Sequence, residues 1–359
     1  MKIYLLAILL LFQSPFVSPI ADRNKPTLNK TKPGVANIVF KSTDGGQTWK
    51  DISEGLPEKL QDDGTQRDGF FANESGFYVR VENGIYQSKP NSTAPFWGKE
   101  IFPDKQGSIA ACKSGLIAYN NDGQFLQKLN GTNVWLPVYT NFQEKGVRTV
   151  FETTGGAVFI GCNNGLFRST NSGKTWKQVQ AGGWAMKLVE LNGVLLATSH
   201  RGIIRSTDAG ENWELVISEG GVGIDVAGIE GGFAAITFNT QSNTRRIRTS
   251  YDGGKTWQPI DAGFPEQTLI VPVVRPFSQM NQTDSIWNPN NNTSLPKQAF
   301  ITSIVQVGEN FYCGHPDGIF KTADNGKTWK LILPSIENKV FNLSVSNGVI
   351  YAIPRNRGC

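Results

Sequence analysis

The chain has 359 residues, among them 39 Gly, 21 Phe and 9 Trp, with 18% charged residues and a formal charge of +5 at pH 7. A composition so aromatic and so weakly charged can bury enough apolar surface to order itself, which excludes intrinsic disorder, and 4 Cys in this length exclude a disulfide scaffold. The mild basic excess contains no Lys/Arg run, which excludes a dedicated nucleic-acid binder.

Met1-Lys2 followed by the apolar stretch Ile3 to Phe12 has the layout of a secretory signal peptide. Ten residues rise about 15 Å as a helix, half a bilayer, so a removed leader is the better reading than an anchor. Cleavage is expected between Val17 and Asp22, giving a leader over 1–21, a linker over 22–35 and one domain over 36–359. No Cys precedes Cys112, so a lipid-modified N-terminal cysteine is excluded, and from about residue 35 onward no second stretch is long enough to span a membrane. The expected location is secreted or periplasmic.

The first repeat follows at Ser42-Thr43-Asp44-Gly45-Gly46-Gln47-Thr48-Trp49. The same pattern returns at Ser169 to Trp176, with Asn171 in the Asp position, at Ser206 to Trp213 with Asp208, at Ser250 to Trp257 with Asp252, and at Thr322 to Trp329 with Asp324. Two worn copies, Ser88 to Trp97 and Asn121 to Trp135, keep the tryptophan. The seven tryptophans are spaced by 48, 38, 41, 37, 44 and 72 residues, and steps near 40 match one four-stranded propeller blade per repeat. The long last step contains 264–297, rich in Asn and Pro, which has loop composition and reads as an insert.

Within a unit the strands follow from the pattern. MKLVEL and VLLATS flank Asn192-Gly193, a preferred two-residue hairpin turn, and GIIRST and NWELV complete a meander of strands A, B, C and D. The same order fits 148–179 and 300–332. The chain opens with C and D strands (NIVFKST, QTWKDIS) and closes with A and B strands (FNLSV, VIYAI), so 36–53 is expected to pair with 340–354 in one shared blade. That predicts an all-β fold, a seven-bladed β-propeller whose ring closure leaves no open edge.

The recurring turn has a structural logic. Asp accepts hydrogen bonds from its own turn, Gly tolerates φ > 0, and Trp anchors the hairpin to the body. Asp44, Trp49, Asn171, Trp176, Asp208, Trp213, Asp252, Trp257, Asp324 and Trp329 are therefore read as structural, and with one carboxylate per turn no metal site is expected, since Ca²⁺ takes six or more oxygens.

These units resemble the Asp-box, or BNR, repeats of sialidases, sortilin-type receptors, xyloglucan-cleaving glycosidases and photosystem II assembly factors. The resemblance implies a propeller with the boxes at the blade periphery, away from the ligand face. For function it implies enzymes and adaptors alike. Sialidases carry an Arg-Ile-Pro element ahead of the first box; here 22–41 contains Arg23 alone, and no catalytic residue of that family can be placed.

Other motifs carry little chemistry. Gly-Lys-Thr occurs at Gly173, Gly254 and Gly326, but Arg168, Thr249 and Lys321 stand where a phosphate loop needs its first Gly. Two histidines and scattered cysteines give no zinc spacing and no cofactor is expected. Cys112, Cys162, Cys313 and Cys359 allow three pairings or free thiols. Asn-x-Ser/Thr triplets begin at Asn29, Asn73, Asn91, Asn130, Asn281, Asn291, Asn292 and Asn342.

If the A–B and C–D turns share one face, the D–A and B–C loops share the other. That face collects Arg67, Arg80, Arg148, His200, Arg201, Arg245, Arg246, His315, Asp317, Arg355 and Arg357, together with the insert. An arginine-rich rim attracts anions. The sequence therefore predicts a monomeric, exported, non-catalytic binding or assembly module that takes an acidic peptide or anionic ligand, a protein or glycan partner, on that face. Arg201, Arg245 and Arg246 are the leading contacts. The alternatives are a sialidase-like glycoside hydrolase and a glycan-binding propeller.

Overall fold

The computed structural model describes residues 28–29, 37–57, 69–81, 84–100, 108–112, 115–119, 124–132, 134–219, 221–264, 268–272, 292–296 and 301–355. The expected leader, Arg67, Arg357, Cys359 and most of the insert lie outside the described residues. Every regular element among those described is a strand.

Seven four-stranded antiparallel blades form the ring. In the order A, B, C, D, blade I comprises Phe70–Asn73, Gly76–Val81, Gly84–Ser88 and Gly98–Glu100, and blade II Ser108–Cys112, Gly115–Tyr119, Phe125–Leu129 and Trp135–Pro137. Blade III comprises Val147–Glu152, Val158–Cys162, Gly165–Ser169 and Lys177–Ala181, and blade IV Ala185–Leu191, Val194–Ser199, Gly202–Ser206 and Glu214–Ile217. Blade V comprises Gly221–Ile229, Gly232–Asn239, Thr244–Ser250 and Gln258–Pro259, and blade VI Ile304–Val307, Asn310–His315, Gly318–Thr322 and Lys330–Pro334.

Blade VII is the shared one. Val340–Ser346 and Val349–Arg355 supply A and B, Phe40–Ser42 and Trp49–Asp51 supply C and D, and Phe40 stands opposite Ala352 across the seam. The expected closure is thus present, with one addition: Leu28–Asn29, inside the segment read as linker, pairs parallel to Trp49-Lys50 as a fifth strand. The segment read as a loop insert also contains a ladder. Thr268–Pro272 pairs antiparallel with Asn292–Pro296, where the β-branched run around Ile270-Val271 favours extended backbone. Phe264, taken as the start of that insert, belongs instead to the core, 5% exposed and stacked at 4.6 Å on Trp329.

The core lies between adjacent blades. Phe311, Ile304 and Trp329 of blade VI, for example, pack against Ile236 and Ile247 of blade V. The innermost strands share one register: Phe70, Ile109, Val150, Leu188, Val226, Ile304 and Leu343 all occupy the fourth rung from their A–B turns. Every blade thus contributes one apolar residue to a single tier around the axis.

The box turns form as their composition dictates. In blade IV, Ser206 Oγ donates to Asp208 Oδ1 at 2.7 Å, Asn212 N donates to the same oxygen at 3.0 Å, and Gly210 N donates to Ser206 Oγ at 2.9 Å. Asn171 repeats this without charge, its Oδ1 accepting from Ser169 Oγ and Thr175 N. The tryptophans split: Trp49 and Trp329 are buried, whereas Trp176, Trp213 and Trp257 are partly exposed, each giving its indole N–H to the carbonyl of the box glycine.

Candidate binding face and central channel

The D–A and B–C loops define one face of the ring, called upper here, and the box turns lie on the opposite one. The candidate residues reach the upper face from different environments. Arg148 starts strand A of blade III, at a register irregularity between Val147 and Thr149. Such a bulge re-aims a side chain. Its guanidinium lies 5.7 Å from the Trp184 ring centroid, and its Nε donates to Asn163 Oδ1 at 2.6 Å. Trp184, in the D–A loop leading to blade IV, meets His200 edge-on at 6.3 Å and 62°. His200 packs on the backbone of Gly183, where a Cβ would overlap its imidazole. Trp184 Nε1 and His200 Nδ1 are both buried without a hydrogen-bond partner among the described residues. Arg201 follows, exposed in the same B–C loop.

The blade V arginines are committed elsewhere. Arg245 is 6% exposed, lies over the Phe238 ring and donates to the Ile301 carbonyl. Arg246 grips Asp261 with Nε and Nη2 at 2.6 and 3.1 Å, a pairing that raises the pKa of the arginine further. Asp261 also accepts from Ile247 N, so it ties strand C to the chain leaving strand D. Of the three leading contacts, Arg201 and Arg246 are exposed, the latter paired with Asp261, whereas strand alternation sends Arg245 inward.

His315 was expected in a loop and instead ends strand B of blade VI. It is 2% exposed, stacked at 5.4 Å on Phe264, and its Nδ1 accepts from Asp317 N at 3.2 Å. His315 and Asp317 thus shape the B–C corner from behind. Arg80 and Arg355 sit at the ends of their B strands, partly buried. The structure therefore brings together Arg148, His200 and Arg201, and keeps Arg245, Arg246 and His315 within the blade V–VI framework.

Two residues of this face escaped the sequence reading. Trp184 is one of the two tryptophans, with Trp287, that fall outside the seven repeat positions, and that irregularity was its signal. Lys187 stands at the next bulge, between Ala185 and Leu188, and pairs with Asp225 Oδ1 at 2.6 Å. Asp225 in turn follows a third irregularity, in blade V, and accepts from Ile304 N of blade VI at 3.1 Å.

Below this mouth runs a central channel of about 710 Å³ lined by all seven blades, blade VI through Thr302 and Ser303 just ahead of its A strand. One arc is polar and cross-bonded: Asp225 links blades IV, V and VI, Ser303 Oγ accepts from Leu343 N at 2.9 Å, and Ser344 Oγ accepts from Ala72 N at 3.1 Å. The arc of blades I to III is richer in apolar residues, with Phe70, Phe71, Ile109, Ala110 and Phe151, beside Thr149, Glu152, Thr153 and Thr154 of blade III. Among the described residues, no group of His, Cys, Asp and Glu is placed to hold a metal ion. Cys162 and Cys313 are free thiols, and burial pushes both up from the ordinary range.

Comparison with known proteins agrees with the architecture. Residues 40–51 match the BNR/Asp-box repeat model. A search of curated proteins finds no match. Among solved structures, the GH74 xyloglucanase from Xanthomonas campestris aligns at 14% identity with a TM-score of 0.57, over 86% of this chain and 53% of that one. YCF48 bound to a D1 peptide aligns at 13% identity and 0.47, over 90% and 87%. The extracellular domain of a one component system from B. thetaiotaomicron aligns at 10% and 0.47, over 82% and 49%. The chain spans about half the length of the xyloglucanase and of the B. thetaiotaomicron domain. The chain is a seven-bladed β-propeller built on Asp-box repeats. No described helix is long and apolar enough to cross a membrane.

Proposed function

We propose that the chain acts as an exported, non-catalytic binding module that recognises an acidic peptide or anionic ligand on its upper face, with Arg148, His200 and Arg201 as contacts. The observation that carries this reading is the Arg148–Trp184–His200 cluster: a guanidinium 5.7 Å from an indole centroid, with an imidazole edge-on to that indole and an exposed arginine beside it in sequence. Arg is suited to carboxylate recognition because its planar fork presents paired donors, and stacking on an aromatic ring fixes that fork in place. Asn163 takes Nε only, so both Nη groups of Arg148 remain available. Arg246, oriented by Asp261, extends the basic surface toward blade V. Export rests on the apolar run Ile3 to Phe12.

The test is a titration of a fluorescent acidic decapeptide and a neutral decapeptide of matched length, at low and moderate salt. The acidic peptide should bind preferentially, the affinity should fall with salt, and the Arg148→Ala/Arg201→Ala variant should lose about tenfold. Equal affinity in the variant would remove the proposed contacts. A panel of glycosides run beside it should show no turnover, and hydrolysis of any of them would replace the binding reading with a hydrolase.

A further inference from the structure

The central channel contains polar groups that the fold does not use. One rung beyond the apolar tier stand Thr149, Asp225 and Asn342 of the A strands and Ser303 just ahead of the blade VI strand, with Lys187 at the blade IV bulge. Asp225 and Ser303 each accept a backbone N–H of the next blade, so their positions are explained by ring assembly. Thr149 and Asn342 are not explained that way. They are 8% and 7% exposed, line the channel, and neither side chain has a hydrogen-bond partner among the described residues. The polar atoms of neither side chain are among those fully buried without a partner, so with both residues lining the channel they are available to a ligand there. Lys187 is the third free resource: its ammonium carries three N–H donors, one faces Asp225, and 43% of the side chain is open while Asp225 is 5% open.

The opposite wall sets the rest of the chemistry. Blades I to III contribute Phe70, Phe71, Ile109, Ala110, Val150 and Phe151 to the wall, with Glu152, Thr153 and Thr154 toward the A–B turn end of blade III. A cavity of about 710 Å³ that is richer in apolar residues on one side and has a few convergent polar groups on the other has the size and make-up of a small-molecule site. We propose that the channel binds a small amphipathic carboxylate, an apolar acid whose head takes the free donors of Lys187 with Thr149 beside it and whose body lies against Phe70, Phe71 and Ile109. Asn342, on the border between the two arcs, supplies an amide to any further polar substituent. This site uses none of Arg148, His200 or Arg201, and it stands or falls independently of peptide binding at the rim.

Isothermal titration of the full chain with 4-phenylbutyrate, octanoate and the uncharged 4-phenylbutanol tests the assignment. Both acids should bind and the alcohol should bind at least about tenfold more weakly, the difference made by one charge-assisted hydrogen bond. Lys187→Gln should show the same loss for the acids. Because that change also disturbs the partner of Asp225, Ala111→Trp provides the second variant: Ala111 lines the channel and is exposed there, so a large side chain should fill the space and abolish binding of all three probes with folding intact by circular dichroism. Arg148→Ala/Arg201→Ala should leave the acids' affinity unchanged. No heat from either acid with the wild type, or full affinity in Ala111→Trp, would overturn the proposal.

Discussion

Arg205 Nε donates to the carbonyl of Gly253 at 2.7 Å, so a strand C side chain of blade IV holds the box turn of blade V. The same arginine, 7% exposed, also meets Glu214 Oε1 through Nη1 at 2.5 Å. The relationship repeats one residue before each box: Arg168 reaches Ala209 O at 2.8 Å, Lys321 reaches Gly45 O at 3.4 Å, and Lys41 reaches Pro90 O at 2.6 Å. Blade V has Thr249 there, and the backbone of Gly263 donates to Gly326 O instead, at 3.0 Å. Each box is therefore a point of attachment between blades as well as a turn within one.

Arg205→Ala removes a buried donor and strands the Gly253 carbonyl. It should cost about 2–3 kcal/mol in urea unfolding, against less than about 0.5 kcal/mol for the solvent-exposed Arg201→Ala. Equal effects at the two positions would show that the inter-blade contact contributes nothing.

The box glycine separates two demands, a positive φ and empty space. Gly210 has φ +82° and a Cβ there would overlap the Phe159 ring of blade III, whereas Gly193, with φ +77° in the A–B turn, faces nothing within 4 Å. Gly193→Ala should cost about 1–2 kcal/mol from backbone strain alone, and Gly210→Ala about 2–4 kcal/mol because a core ring must also move. Thermal unfolding of the two variants decides whether the space matters.

Acid should loosen the boxes. The Asp208 carboxylate sits below its usual range because Asn212 backbone and side chain, then Ser206, donate to it. Thr256 and Ser250 do the same for Asp252, and Thr328 and Thr322 hold Asp324 down at about 2. At Asp44 partial burial pushes upward and is outweighed by Thr48 and Ser42. A pKa lower in the folded than in the unfolded chain means stability that is present above about pH 4 and lost as pH falls through the folded value. Unfolding free energy should therefore decline from about pH 4 downward, and Asp324→Asn should flatten part of that decline, since Asn171 already shows that an amide can accept the same two bonds. A variant with an unaltered acid limb would remove Asp324 from the cause.

Much of this architecture is legible in the sequence because it is local. The hairpin at Asn192-Gly193, the box turns and the half-blades at each end are set by short-range patterns, and the Phe40–Ala352 seam follows from counting them. The site is less legible because it depends on relations between blades. Nothing near Arg246 announces Asp261, fifteen residues on, and nothing near Arg245 announces the Ile301 carbonyl. Bulges at the start of the A strands shift Arg148 and Lys187 relative to the alternation, and a bulge leaves no clear mark in a polar stretch. His315 falls beside a turn in sequence yet ends a strand, because Phe264 arrives from a distant segment to stack on it.

Asp225 offers the sharpest test of how the ring is held from inside. Its side chain is buried, with Oδ1 on Lys187 Nζ of blade IV at 2.6 Å and Oδ2 on Ile304 N of blade VI at 3.1 Å, so one carboxylate spans three blades. Asp225→Ala removes both bonds and leaves Ile304 N unpaired, for a loss of about 2–4 kcal/mol; the pair's half-open lysine keeps it below the upper end for wholly buried ion pairs. Lys187→Met removes only the lysine and leaves Asp225 its bond to Ile304 N, for about 1–3 kcal/mol. If the two charges act as a pair, the double variant should be less destabilised than the sum of the singles by at least about 1 kcal/mol, because no uncompensated charge is left behind. Strict additivity in urea unfolding would mean that Asp225 acts through the Ile304 amide alone, and that the Lys187 ammonium is held there for a purpose other than stability.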